Sequence, residues 1–279
     1  MRGIFSLIVI LIISSSCQDS PKAGNSVSFE NSTPSSKLMT GDSTLLDNYS
    51  FPDKEKQFPM QLLYIDNDKE SCVLYHYDEV SEDWINRSWY ALVKNGPQYF
   101  IQNAAITIRP GYDPVLDDDT TQKTGWEVCT NATDTPLIHF TEYAKIKAGP
   151  IGSIKLPIDI IRTGDTISFE FASVMYKLFA TGIVDNNSSE YSSTTNYRLF
   201  IESTTPSKKT TQLLFAAPNF DDAFPSIMFI GDINRDGLPD ILLNAVRHYN
   251  EFAPSLFLSN SNSSDPIWEL VGLHWSSGC

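Results

Sequence analysis

Oxygen-bearing side chains recur in one short segment, residues 232–240, at a spacing typical of metal-binding loops. Hard cations such as Ca²⁺ bind about six to eight oxygens from carboxylates, amides, backbone carbonyls and water. Gly237, the sixth loop residue, permits the sharp turn that directs such oxygens to one point. We therefore predict a Ca²⁺ site here. Loop positions 1, 3, 5, 7 and 9 supply the ligands, the seventh through its backbone carbonyl: Asp232, Asn234, Asp236, Leu238 and Asp240.

The residues around this loop distinguish between two kinds of calcium-binding motif. An EF-hand loop ends in a bidentate glutamate at position 12, whereas this segment has Leu243 there. The flanking segments Ser226–Ile230 and Ile241–Leu243 are short and apolar, which is typical of strands and too short for helices. We therefore predict a strand–loop–strand hairpin. An acidic surface turn that binds no metal is the alternative.

The same segment resembles the calcium loop of FG-GAP/VCBS repeats. The shared pattern is apolar-Gly-Asp-x-Asn-x-Asp-Gly-x-x-Asp-apolar, and Phe229–Leu242 match it. Such repeats are known from integrin α-subunit propellers and bacterial surface proteins, so the resemblance implies a Ca²⁺-binding hairpin on an exported β-rich protein. The sequence has a single loop of this kind and no evident internal repeat, which argues against a complete multi-blade propeller.

The N-terminus has the features of an export signal. Arg2 precedes the largely apolar run Ile4–Ile13, which is too short for a bilayer, since spanning takes about twenty apolar residues. Ser14-Ser15-Ser16-Cys17 follows and resembles the processing site of bacterial lipoproteins. This resemblance implies that residues 1–16 are removed and that a lipidated Cys17 holds the protein at the outer membrane or cell surface. An ordinary signal peptide with an incidental cysteine is the alternative.

Residues 17–57 are predicted to carry the lipid and then form a flexible tether. Ser, Asn, Gly and Pro are frequent there and leave little apolar surface to bury. From residue 58 onward, short apolar or alternating runs separated by turn residues predict an all-β fold of antiparallel sheets, as a sandwich or as small barrels. The segment Ala172–Ala180 is readable either as a helix or as a continuing strand.

A turn-rich stretch, Lys147–Pro150, predicts a boundary between two β domains, 58–149 and 150–279. The first contains aromatic-rich hairpins around Trp84 and Trp89 and is similar in that respect to bacterial SH3-like modules. The second contains the predicted calcium loop.

The chain is acidic, with 20 basic and 34 acidic residues and a formal net charge of −14. Such a charge repels nucleic-acid phosphates and favours cations or basic partners, so we expect no nucleic-acid partner. Two further groups of acidic residues lack glycine-supported ligand spacing, and we interpret both as solvated loops. They are Asp66, Asp68 and Glu70, and Asp113, Asp117, Asp118 and Asp119.

The remaining cysteines, Cys72, Cys129 and Cys279, form an odd set for an oxidising compartment. Three pairings are possible, each leaving one thiol over, and the sequence does not choose between them. Because no two of these cysteines are spaced as C-x-x-C, they do not form a typical zinc site.

The sequence has no nucleophile elbow, no zinc-protease motif and no phosphate loop. Its histidines, His76, His139, His248 and His274, are interpreted as packing or surface residues. We therefore favour a membrane-anchored, non-enzymatic binding or scaffold module stabilised by Ca²⁺, with an unknown protein or glycan ligand. The alternative is a secreted hydrolase of glycans or peptides with a structural Ca²⁺, because paired carboxylates need not be close in sequence.

Overall fold

A computed structural model of the 279-residue chain describes residues 27–31, 49–65, 72–132, 134–143, 146–185, 194–205, 208–260 and 268–278. The predicted export signal, Cys17 and Cys279 lie outside the described residues, as does the acidic group at residues 66–70. Within the described ranges, no helix is both long enough and apolar enough to cross a membrane.

Strands make up nearly all of the regular secondary structure, as predicted, with a short 3-10 helix at Glu82–Asn86. In chain order the first ten strands are β1 Val27–Asn31, β2 Leu62–Leu63, β3 Cys72–Tyr75, β4 Trp89–Asn95, β5 Gln98–Ala104, β6 Ile106–Gly111, β7 Gly125–Thr130, β8 Thr135–Thr141, β9 Gly149–Ile151 and β10 Ser153–Ile154. The remainder are β11 Asp165–Phe171, β12 Val174–Val184, β13 Thr194–Thr204, β14 Lys209–Ala217, β15 Ser226–Gly231, β16 Asp240–Asn244, β17 Glu251–Phe252, β18 Pro254–Ser259, β19 Trp268–Leu273 and β20 Ser276–Ser277.

The strands form four main sheets, which we name A to D. Sheet A has the order β1-β11-β12-β13-β14, and sheet B has the order β10-β15-β16-β18-β19. Sheet C has the order β2-β8-β4-β5-β9, sheet D has the order β3-β7-β6, and β17 and β20 form a separate ribbon. Each of these sheets is open, with an edge strand on either side, so the sandwich alternative describes the fold and the small-barrel alternative is wrong.

Three apolar cores lie between successive sheets, so that the sheets form layers in the order A, B, C, D. The A/B core joins residues such as Phe169 of β11 to Ile241 of β16. The B/C core joins Leu242 of β16 to Leu92 of β4. The C/D core joins Trp89 of β4 to Val128 of β7.

Sheet B is buried on both faces. Successive strand residues point to opposite faces, and on β16 Ile241 and Leu243 enter the A/B core while Leu242 enters the B/C core. A strand that is covered on both faces has a continuous apolar sequence rather than an alternating one. This burial explains the unbroken Ile241–Leu243 run in the sequence.

The two predicted β domains share a core. The boundary predicted between residues 149 and 150 falls inside β9, which pairs with β5 in sheet C. The next strand, β10, pairs with β15 in sheet B. The B/C core contains residues from both predicted domains. The chain passes from sheet C to sheet B at Gly152, and no linker separates the two strands.

Part of the predicted tether is structured. Val27–Asn31 forms β1 and pairs with β11, with Val27 opposite Phe169. Phe51 exchanges two backbone hydrogen bonds with Ala216, of 2.9 and 2.8 Å. Val27 and Phe51 both pack against the A/B core, so isolated apolar residues in a polar segment suffice to dock it on the edges of sheet A.

The ambiguous segment Ala172–Ala180 is a strand that follows a tight turn. Ala172 and Ser173 form the two-residue connection between β11 and β12, with φ angles of 48° and 66°. Positive φ at both central residues is typical of a type I′ hairpin turn. The chain therefore reverses at this point, and β12 returns alongside β11 rather than continuing it.

The structure resolves the cysteine pairing among the described residues. Cys72 and Cys129 form a disulfide across β3 and β7, where they lie opposite each other in the strand register. The bond joins positions 57 residues apart and connects two strands of sheet D. It therefore supports the outermost layer, next to the C/D core.

Truncation of two consecutive core residues tests the burial of both faces of sheet B. Leu242→Ala and Leu243→Ala remove fully buried side chains from different cores, so each is expected to destabilise the fold by about 3 kcal/mol in urea denaturation. Leu74→Ala, at a leucine that is 39% exposed, serves as the control and should cost less than about 1 kcal/mol. If only one of the two consecutive substitutions is costly, sheet B has an exposed face.

Candidate metal site

The predicted loop joins β15 to β16, as expected for a strand–loop–strand hairpin, and the pair Gly231–Asp240 closes it. A side chain at Gly231 would be impossible, because its Cβ would lie 2.3 Å from the carbonyl oxygen of Gly152. That close approach lets Asp232 N donate to Gly152 O at 3.0 Å. The loop therefore begins against the chain segment that links sheets B and C.

The middle of the loop turns through two residues with positive φ, Arg235 at 59° and Gly237 at 88°. The Arg235 side chain points away from the loop and donates from Nη2 to the carbonyl oxygens of Lys147 and Ala148, both at 3.1 Å. This cation therefore fastens the loop to the end of sheet C instead of neutralising the loop's own carboxylates.

Three predicted ligand side chains gather around the turn. Asp232 accepts hydrogen bonds from the backbone N–H groups of Asp236, at 2.9 Å, and Gly237, at 3.0 Å. Asn234 Oδ1 accepts from Asp236 N at 3.0 Å, and Asp236 Oδ1 accepts from Leu238 N at 3.0 Å. These oxygens therefore face the same stretch of backbone, residues 236–238.

Asp240 has a different role from the other predicted ligands. It is fully buried, and its Oδ2 accepts hydrogen bonds from the backbone N–H groups of Ile233 at 2.6 Å and Asn234 at 3.0 Å. Its Oδ1 accepts from Ser259 N at 2.6 Å and from Ser259 Oγ at 2.7 Å. A carboxylate offers about four acceptor positions, so Asp240 is already saturated and holds the loop in shape.

Two residues that the sequence did not predict complete the loop. Ser259, at the end of β18, has its Oγ 3.1 Å from Asp236 Oδ1. Its carbonyl oxygen accepts from Asn234 Nδ2 at 2.7 Å. Trp268, at the start of β19, donates from Nε1 to Pro239 O at 2.7 Å. Both lie far along the chain from the loop, and no local spacing marks either of them as its partner.

Burial, and repulsion between neighbouring carboxylates, disfavour the charged forms of Asp240 and Asp232 in this loop. Burial raises the pKa of Asp240 to about 8, against its hydrogen bonds from Ser259 and Asn234, and the charge of Asp232 adds to the rise. Burial, and secondarily the charge of Asp236, also raises the pKa of Asp232. A divalent cation among these groups would favour their charged forms.

The donor chemistry fits a hard cation, although the carboxylates do not all converge. In the described part of the chain, the one group of three His, Cys, Asp or Glu ligand atoms within 4.8 Å of one another is Cys72, Glu127 and Cys129. Its sulfurs are joined in the disulfide, so it is no metal site. The loop instead offers two carboxylates, an amide oxygen and a carbonyl, all of them ligands that Ca²⁺ accepts together with water.

The second acidic group is structural, and its interpretation as a solvated loop is wrong for Asp113 and Asp117, which are 0% and 7% exposed. Asp113 accepts from Val115 N at 2.9 Å and lies 2.5 Å from His76 Nδ1. Although burial opposes it, hydrogen bonding to His76 and to the Val115 backbone holds the pKa of Asp113 below its usual value. The same bond to Asp113 raises the pKa of His76.

The other histidines also have structural surroundings. His139 and His274 are buried, and burial lowers the pKa of His139 to about 4, so it is neutral at pH 7. His248 Nε2 lies 3.1 Å from Asp221 at the surface. These environments agree with the packing and surface roles predicted for the histidines, and the hydrolase alternative stays a prediction.

Substitution of Asp240 and Asp232 separates the structural carboxylate from the proposed ligands. Asp240→Asn places an amide NH2 group where a carboxyl oxygen accepts from backbone N–H groups. We therefore expect it to cost about 3 kcal/mol in urea denaturation with a chelator present. Asp232→Asn, at a half-buried position, keeps an acceptor in place and should cost less than about 1 kcal/mol under the same conditions. An equal loss of unfolding free energy in the two variants would contradict the structural role of Asp240.

Comparison with known proteins gives no relative: no protein-family model, curated protein or solved structure matches this chain. The resemblance to FG-GAP/VCBS loops therefore rests on Phe229–Leu242 alone, and the similarity of residues 58–149 to SH3-like modules likewise stays a prediction.

Proposed function

We propose that the protein is a membrane-anchored, extracytoplasmic lipoprotein whose layered sheets form a non-enzymatic binding or scaffold module stabilised by Ca²⁺. One observation carries the proposal. The oxygens of Asp232, Asn234 and Asp236 all accept hydrogen bonds from one short stretch of the turn, whose cationic residue, Arg235, is bonded elsewhere. In this proposal the ligands are these three side chains and the carbonyl of Leu238. Asp240 instead holds the loop backbone in place through its hydrogen bonds to Ile233 and Asn234.

The position of the loop favours a structural ion over a catalytic one. The loop closes the β15–β16 hairpin, and its contacts with Ser259 and Trp268 reach β18 and β19. These four strands lie next to one another in sheet B. An ion bound in the loop would therefore stabilise the sheet that contributes to both the A/B and the B/C core.

Two features support a location outside the cytoplasm. The Cys72–Cys129 disulfide is typical of oxidising compartments, since cytosolic thiols are kept reduced. The N-terminal sequence has the length and polarity of a signal peptide, followed by Cys17. Acylation of Cys17 would anchor the chain, because each buried methylene contributes about 0.8 kcal/mol and two or more acyl chains hold firmly.

Calcium is expected to raise the melting temperature of the chelator-treated protein. Extracellular Ca²⁺ sites have dissociation constants of about 0.1–1 mM. With a constant of about 0.1 mM, about 1 mM Ca²⁺ would stabilise the fold by roughly 1.4 kcal/mol. For a domain of this size the melting temperature should rise by about 3–6 °C in scanning calorimetry, whereas Mg²⁺ should substitute poorly because it demands tight octahedral geometry.

Two loop variants control this experiment. Asp236→Ala removes a proposed ligand and should abolish the calcium-dependent shift. Arg235→Ala removes only the bonds to Lys147 and Ala148, so it should lower the baseline stability but keep the shift. A wild-type melting curve that is the same in calcium and in chelator would reject the calcium proposal.

Lipidation is tested at the proposed acceptor. The wild-type chain expressed in a Gram-negative bacterium should incorporate labelled fatty acid and partition into the membrane fraction. Cys17→Ser should prevent the incorporation and move the protein to the soluble fraction, and Ser16→Ala, which keeps the thiol, is the matched control. Membrane association that persists unchanged in Cys17→Ser would contradict a lipid anchor at this residue.

A further inference from the structure

A cleft of about 610 Å³ lies between the segment at residues 54–61, the segment at residues 78–87 and the C-terminal residues Leu273–Trp275. A second depression of about 570 Å³ adjoins it and shares Lys54 and Trp275 with it. Each is within the size range of small-molecule sites, about 300–1,000 Å³. Trp275 therefore lines both of them.

The 610 Å³ cleft is lined by charges of both signs, three cationic and four anionic side chains. Arg87 pairs with Asp83 at 3.2 Å. The carboxylate of Glu79 is engaged by His76 N at 2.9 Å and by Ser277 N at 2.6 Å. The charged residues that remain in the wall are two of each sign: Lys54, Lys56, Glu55 and Asp78. Because charges of both signs line the wall, it attracts neither anions nor cations strongly, and it favours a ligand that is polar but uncharged.

Two buried polar atoms, on residues that line the cleft, have no hydrogen-bond partner among the described residues. His274 Nε2 donates to Glu79 O at 2.9 Å, and because a carbonyl only accepts, the imidazole Nδ1 must be an acceptor. Nδ1 of His274 is unpartnered, and so is the donor Nε1 of Trp275. Buried polar atoms are nearly always paired. Here His274 Nδ1 lacks a hydrogen-bond donor and Trp275 Nε1 lacks an acceptor. A hydroxyl group can supply either.

The cleft also presents aromatic surface. The exposed side chain of Lys54 lies over the Trp275 ring, 4.2 Å from its centroid. Trp84, which also lines the cleft, packs edge-on against His274 at 6.0 Å. The flat face of an indole is apolar and electron-rich, and it attracts polarised C–H groups as well as cations. A ligand with an apolar face and a rim of hydroxyls would use both the rings and the polar wall.

We propose that this cleft binds a neutral oligosaccharide. Each pyranose ring offers C–H groups on a flat face and hydroxyls that donate and accept, which matches the indoles and the mixed charges of the wall. The two unpartnered atoms belong to residues of the same wall. Phosphate-rich ligands fit less well, because Glu55 and Asp78 line the same wall. The inference rests on the proposed binding role and assigns its ligand class, and it does not depend on the calcium loop.

Titration calorimetry of the full chain in detergent tests this assignment with four probes: maltohexaose, cellohexaose, xylohexaose and chitohexaose. At least one should bind with a dissociation constant below about 1 mM, or about −4 kcal/mol. Trp275→Phe should weaken that binding at least tenfold. Trp126→Phe, at a half-buried tryptophan of sheet D that donates to Tyr77 O, should leave it unchanged. Gln57→Ala, at an exposed residue of the cleft wall, should weaken it about threefold without endangering the fold.

Three results would overturn the proposal. These are no binding of any probe at 10 mM, equal binding by wild type and Trp275→Phe, and competition for the cleft by tetralysine or tetraglutamate, which would identify a charged peptide ligand. A calcium-dependent melting shift without saccharide binding would reject only the ligand assignment. The proposal of a calcium-stabilised module would then still stand.

Discussion

The fold depends on the burial of sheet B on both faces. Its middle strands, β16 and β18, contribute alternately to the A/B and B/C cores, so every polar group on them must find a partner inside the protein. Asp240, the first residue of β16, is fully buried and meets this requirement with four hydrogen bonds from Ile233, Asn234 and Ser259. The same four bonds set the shape of the loop that precedes it. The carboxylate therefore couples the packing of the layers to the geometry of the proposed metal site.

Strand β19 connects the two proposed sites. Trp268, at its start, contacts the loop through Pro239, and Leu273, at its end, leads directly into the cleft. The two ends of this six-residue strand lie roughly 17 Å apart. The two proposed sites are therefore too far apart for a bound ion to touch a ligand in the cleft, which is consistent with an ion that stabilises sheet B rather than one that takes part in recognition.

The strand–loop–strand hairpin could be predicted because the loop's oxygens are spaced within nine consecutive residues and its flanks are short apolar runs. The separate role of Asp240 could not, since it depends on Ser259, which lies 19 residues further along the chain. Strand β1 was missed because its pairing depends on an edge of sheet A that is formed much later in the sequence. The burial of Asp113 could not be predicted, because composition does not reveal that an acidic side chain bonds to the backbone of its own turn.

Terbium luminescence tests the central claim most directly, because Tb³⁺ takes the same oxygen ligands as Ca²⁺ and accepts energy from a nearby indole. Trp268 donates a hydrogen bond to Pro239 at the end of the loop and is placed to sensitise an ion bound there. Excitation of the tryptophans should give Tb³⁺ emission that millimolar Ca²⁺ displaces and that Asp236→Ala abolishes. Absence of sensitised emission from the wild-type protein, or emission that Ca²⁺ leaves unchanged, would show that the loop holds no calcium.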